Sequence, residues 1–117
     1  MRDRGVPVYC VDSDVYVDQV SRELALADNV VKHLGVQTFV LTGDVHASLK
    51  SLDFGGVSFK PMGVLLKERG FDVFSVQLTA KKGAFFNGTV QSIAESLAKP
   101  GYFDSVVELD FVSAFVR

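Results

Sequence analysis

VQTFVLTGDVHAS, residues 36–48, decides how this chain is read. Seven residues of β-forming character end in Gly43-Asp44, and a histidine, His46, follows at once. Apolar residues run unbroken over Phe39-Val40-Leu41, where a half-buried strand would alternate them with polar ones. An unbroken run of this length predicts a strand, 36–42, buried on both faces. Such a strand needs neighbours in a sheet and helices over both sides, and the flanking sequence is expected to supply them.

Upstream, VPVYCV (6–11) is a short run rich in β-formers that ends in the turn-like Asp12-Ser13-Asp14. From Asp18 the period changes. Val20, Leu24, Ala27, Val31 and Leu34 recur at three- and four-residue steps, which predicts an amphipathic helix. Asp18 suits its N-cap, and Gly35 stands where a left-handed C-terminal residue belongs. Downstream, residues 43–60 read as a long irregular stretch in which Phe54-Gly55-Gly56 supplies the joints of a lid. Pro61 opens a short helix, PMGVLLKER, closed by Gly70. FDVFSVQL (71–78) reads as a strand and AKKGAFFNG (80–88) as a loop. TVQSIAESLAK (89–99) reads as a helix with Val90, Ile93, Ala94 and Leu97 on one face. The tail is β-rich, with Val107, Leu109, Phe111 and Phe115 alternating. Strand and helix in turn, with short connections, predict an α/β fold: a mostly parallel sheet of about four strands with helices packed on it.

Composition sets the outer bounds. At 117 residues the chain is read as one domain, 1–117, with 48% hydrophobic and 22% charged residues, a globular balance. A net charge of −2 gives no footprint for nucleic acid or an anionic membrane surface, so neither is expected as a partner. No apolar run reaches membrane-spanning length, and the first ten residues lack an apolar signal core. Cys10 is the only cysteine, so no disulfide forms within the chain, and it is expected to be a buried thiol. A soluble, cytoplasmic protein is the default expectation. No P-loop, GxGxxG, GxSxG or CxxC motif occurs, which disfavours nucleotide hydrolysis, dinucleotide binding, serine-esterase chemistry and dithiol redox.

In parallel sheets, ligands sit outside the carboxyl ends of the strands. The loops expected there would bring Asp12, Asp14, Asp44, His46, Lys81 and Lys82 to one rim. His46 is a candidate general base or metal ligand, because imidazole titrates near neutrality and binds transition metals; a turn histidine bonded to backbone is the plainer alternative. Asp12, Asp14 and Asp44 could join it around a divalent cation, against their ordinary use in turns and caps. Lys81 and Lys82 suit an anionic ligand or, more plainly, a solvated turn. His33, in the last helical turn, reads as structural, and Asn29 as helix surface.

Several of these pieces, in order, resemble a known group. They are RELALADN on the helix with Arg22-Glu23, then VLTGDVHASLK, then KPMGVLLKERG, a strand, and GYFDSVVELD near the end. Together, over about residues 20–112, they resemble the later half of the superfamily of ChaN-like haem-binding proteins, erythromycin esterases and Tiki-type proteases. By that resemblance Arg22, Gly43 and His46 match the site motif, with Asp44 where asparagine is common. The family's Gly-Glu-x-His turn, which belongs to its earlier half, has no counterpart here. The resemblance implies a small-ligand, metal- or haem-binding domain. In its hydrolytic form His46 polarises water, Asp44 orients the imidazole or helps hold a metal, Arg22 binds an anionic group, and a second copy supplies the missing half. The alternative is a non-catalytic module that associates with itself. A homo-oligomer is expected under either reading.

Overall fold

Asp18 is extended (φ −152°), and its side chain accepts a hydrogen bond from the Ser21 N–H at 2.7 Å, satisfying one of the donors that a helix start leaves unpaired. The helix so begun, α1, spans Gln19–Lys32 in the structure, a computed structural model that describes residues 5, 7–12, 18–87, 89–93 and 98–113. Its end falls at His33, whose N–H returns to the Val30 carbonyl while the Leu34 N–H returns to Val31, and not at Gly35, which has no positive φ. The buried stripe is Glu23, Leu26, Ala27 and Val30. It is rotated from the expected one, since Val20 and Leu24 are exposed.

Pro61, extended at φ −61°, precedes α3, Met62–Glu68, and Gly70 at φ 90° follows its last turn. Leu26, Ala27 and Val30 of α1 pack on Met62 and Leu66 of α3, and this is the hydrophobic core, with Val11, Val31, Leu65 and Val73 at its margin. Each large side chain buried there contributes about 1.5–3 kcal/mol. Between the two lies the single-turn helix α2, Asp44–Ala47. It packs so closely on α3 that a Cβ on Gly63 would stand 2.7 Å from the Ser48 carbonyl oxygen. That is why α3 carries glycine in its first turn.

Among the described residues the strands form three pairs. β1 (Leu52–Phe54) and β2 (Val57–Phe59) are antiparallel, β3 (Val76–Ala80) and β6 (Ser105–Leu109) are parallel, and β4 (Gly83–Asn87) and β5 (Thr89–Ile93) are antiparallel. A mostly parallel sheet of four strands is therefore corrected to three two-stranded sheets, only one of them parallel. Two expected strands are absent. Residues 7–12 are irregular, and so are 36–42, where Phe39 is 87% exposed and Leu41 fully so. None of the described strands pairs with them, so their backbone groups join no ladder there.

Three further expectations change. The irregular stretch 43–60 contains α2 and the β1–β2 hairpin, and Gly55-Gly56, with φ of 59° and 83°, forms its two-residue turn and not a lid joint. The helix expected at 89–99 begins instead as β5, and β4 replaces most of the expected loop. The strand expected at 71–78 starts only at Val76. Ala94, Leu97 and Phe115, assigned to apolar faces, lie outside the described residues. Cys10 is exposed, against the expectation of a buried thiol. Among the described residues no helix is long and apolar enough to cross a membrane.

Candidate functional site

Glu23 is fully buried on the inner stripe of α1, and its carboxylate is surrounded by donors. Gln19, one turn earlier, donates its side-chain amide to Oε2 at 2.6 Å. The Met62 N–H, first of α3, donates to Oε1 at 2.9 Å. His46 Nδ1 lies 2.7 Å from Oε2 and 2.9 Å from Oε1. A carboxylate can only accept, so Nδ1 carries the hydrogen of this bond, a tautomer assigned from the network. Glu23 thereby ties α1, α2 and α3 together.

The consequence for His46 lies at its other nitrogen. Nε2 makes no hydrogen bond to a described residue, and among those residues no buried side-chain polar atom lacks a partner, so Nε2 reaches solvent. A histidine held through Nδ1 by a carboxylate presents Nε2 as a fixed lone pair, the arrangement that suits a general base, an acceptor for a ligand hydrogen or a metal ligand. Gly43 forms the entry to α2, with its Cα hydrogen side open: a Cβ there would meet only the His46 ring, at 3.9 Å.

The other candidates are engaged elsewhere. Asp44 opens α2, and its Oδ2 accepts from the Gln77 side-chain amide nitrogen at 3.2 Å, while Gln77 Oε1 accepts from the Lys99 N–H at 2.8 Å. Orienting the imidazole, expected of Asp44, falls to Glu23. Arg22 forms a two-pronged pair with Asp12, at 2.5 and 3.3 Å. Asn29, read as helix surface, donates to the Val11 carbonyl at 2.7 Å and so holds the segment carrying Asp12 against α1. Asp14 lies outside the described residues.

Lys81 and Lys82 do not share a rim with His46. Ala47 accepts from the Ser75 hydroxyl at 2.5 Å and Asp44 from Gln77, so α2 sits at the start of β3. Lys81 follows the end of that strand, four residues beyond Gln77 or about 13 Å along it, where its ammonium lies 3.5 Å from Asp110. The Lys82 carbonyl accepts from the Val112 N–H.

A divalent cation held by several carboxylates does not fit the described residues. Among the described residues no three His, Cys, Asp or Glu side chains converge, and the oxygens expected to bind it are taken by Arg22 and Gln77. A haem iron asks for less, since one imidazole suffices on the proximal side. A cleft of about 560 Å³ opens beside α2, reaching it at Ala47 and the preceding turn at Thr42, and is lined mainly by apolar residues that include Val30, Met62 and Phe74.

Glu23, beside Arg22, is the member of this cluster that sequence alone does not single out. The signal was available: a carboxylate three residues before Leu26 and seven before Val30 falls within an apolar helical stripe. Fold and site together define a small mixed α/β chain built around a buried carboxylate–histidine pair. No family model, curated protein or solved structure matches it.

Proposed function

We propose that this chain binds a small ligand beside α2 through Nε2 of His46, as the later half of a ChaN-like, erythromycin-esterase-like domain would. One observation carries the reading. Three segments on which the resemblance rests, RELALADN, GDVHA and KPMG, meet at the Glu23 carboxylate, which receives His46 Nδ1 and the Met62 N–H. A helix carboxylate buried for stability alone needs no imidazole with its far side left open.

In this reading Glu23 fixes ring orientation and tautomer, Gln19 and the start of α3 hold Glu23, and Nε2 meets the ligand. The adjoining cleft takes the ligand's apolar part. Haem supplies an iron that a single imidazole can ligate. Hydrolysis would further need a positioned water and donors for a developing oxyanion, so the reading stops at binding.

The test is thermal unfolding with haem or zinc, which seek imidazole, and with magnesium, which seeks several oxygens. Stabilisation by haem or zinc should saturate, reaching about 2.7 kcal/mol at a hundredfold excess over Kd. It should vanish in His46→Asn, whose amide nitrogen stands where Nδ1 does and keeps a donor for Glu23 but loses Nε2. No shift, or a shift that survives in His46→Asn, sinks the reading. A second reading, self-association without catalysis, is favoured by a different observation, the uncovered face of the β3–β6 sheet.

A further inference from the structure

The β3–β6 pair has its polarity reversed. In-register parallel partners share a face, so Val76, Leu78 and Ala80 stand with Ser105, Val107 and Leu109, while Gln77 and Thr79 stand with Val106 and Glu108. Gln77, on the second face, is buried and bonded to Asp44 of α2, so this is the inner face. The outer face therefore carries the aliphatic residues, and it is exposed up to Ala80, which is buried at its end. Leu78 is 70% exposed, and Val76, Val107 and Leu109 are each exposed by more than 40%. Phe74 and Phe111, also exposed, stand two residues beyond the rows, at opposite ends, and Phe74 and Val76 lie where this face meets the cleft beside α2. A sheet with one solvated face puts its polar residues there. This one does the opposite.

We propose that a second copy of this chain covers that face, the two β3–β6 sheets packing against each other about a two-fold axis. The inference gives the self-association reading its surface and rests on it. Three features favour a second copy over another partner. First, no charge stands in either outer row, so the face meets itself without repulsion although the chain carries a net −2. Second, with about 150–250 Å² for a whole aromatic side chain, the six residues offer on the order of 600 Å² per copy, and two copies bury about 1,200 Å², where specific interfaces begin. Third, two apolar sheet faces have a standard packing, aligned and about 10 Å apart, that needs no change in either sheet.

The experiment is solution mass by sedimentation and light scattering over a dilution series of the full chain, with Leu78→Asp, Leu78→Lys and Phe39→Asp compared. Phe39 is the control, being equally apolar and exposed but on the 36–42 segment. The expected result is twice the chain mass for the parent and Phe39→Asp, and the single-chain mass for each Leu78 variant alone. An equimolar mixture of Leu78→Asp and Leu78→Lys should return the doubled mass, which misfolded variants would not. A parent that is monomeric throughout overturns both the surface and the self-association reading. An oligomer that survives at Leu78 but is lost in Phe39→Asp overturns the surface alone, and so does a mixture that stays monomeric.

Discussion

A carboxylate without exposed surface persists on a helix face only when donors surround it, and Glu23 has three, each from a different element. Glu23→Ala removes the acceptor and strands the Met62 N–H beneath α1. The expected loss is about 3–5 kcal/mol by urea denaturation, against about 1–3 kcal/mol for Glu23→Gln, which still accepts through one oxygen. Similar losses for both would mean that burial and not bonding decides at this position. The imidazole gives an independent readout. Nitrogen-15 spectra at alkaline pH should place the His46 hydrogen on Nδ1, and a ring protonated on Nε2 contradicts the proposed site. At Gly63 the constraint is space. A methyl group would press on the Ser48 and Ala47 carbonyl oxygens, at 2.7 and 3.1 Å, so Gly63→Ala should cost about 1–3 kcal/mol. An unchanged denaturation midpoint would show that α2 yields freely.

Among the elements, α1 depends on its cap, and the cap on pH. The Ser21 backbone hydrogen bond, with a lesser contribution from the Ser21 side chain, holds the Asp18 carboxyl below its ordinary 3.8. The folded state thus binds this proton less readily than the unfolded chain. The resulting stability is fully present above the ordinary carboxylate value and is lost as pH falls through the lowered one. The melting-temperature gap between the parent and Asp18→Asn should therefore be constant near neutrality and narrow in acid. A gap independent of pH would mean that the cap acts through hydrogen-bond geometry alone. Elements of this kind were legible in the sequence: α1 from its period and Asp18, α3 from Pro61 and Gly70, β6 from its alternation. Residues 89–93 were not read correctly, because Val90 and Ile93 suit a helical face as well as a strand. Asn87-Gly88, a turn-forming pair in the sequence, should have outweighed that spacing. Of the candidate pair, the sequence pointed to His46 and left Glu23 hidden, since periodicity counts apolar residues and passes over an acid in their stripe.

At the scale of the molecule, the error over 36–42 shows what an apolar run does not contain. Three aliphatic or aromatic residues in a row report a demand for burial, but a strand also needs a partner for its backbone, and none of the described strands supplies one. The chain is correspondingly open, with a radius of gyration of 15.4 Å, where a compact domain of this length has about 13 Å. Its stability then rests on the α1–α3 core and not on the segment that looked most buried. Leu66→Ala, in that core, should cost about 2–5 kcal/mol. Phe39→Ser and Leu41→Ser together should stay within about 0.5 kcal/mol per site, as surface changes do. Denaturation is best measured at one fixed protein concentration, because a chain that pairs with itself is stabilised by mass action. If the double variant proves as costly as Leu66→Ala, residues 36–42 are packed in solution, and the cleft beside α2 is filled by the chain itself and closed to a ligand. If it proves nearly silent, the cleft stays open beside α2, as ligand binding requires.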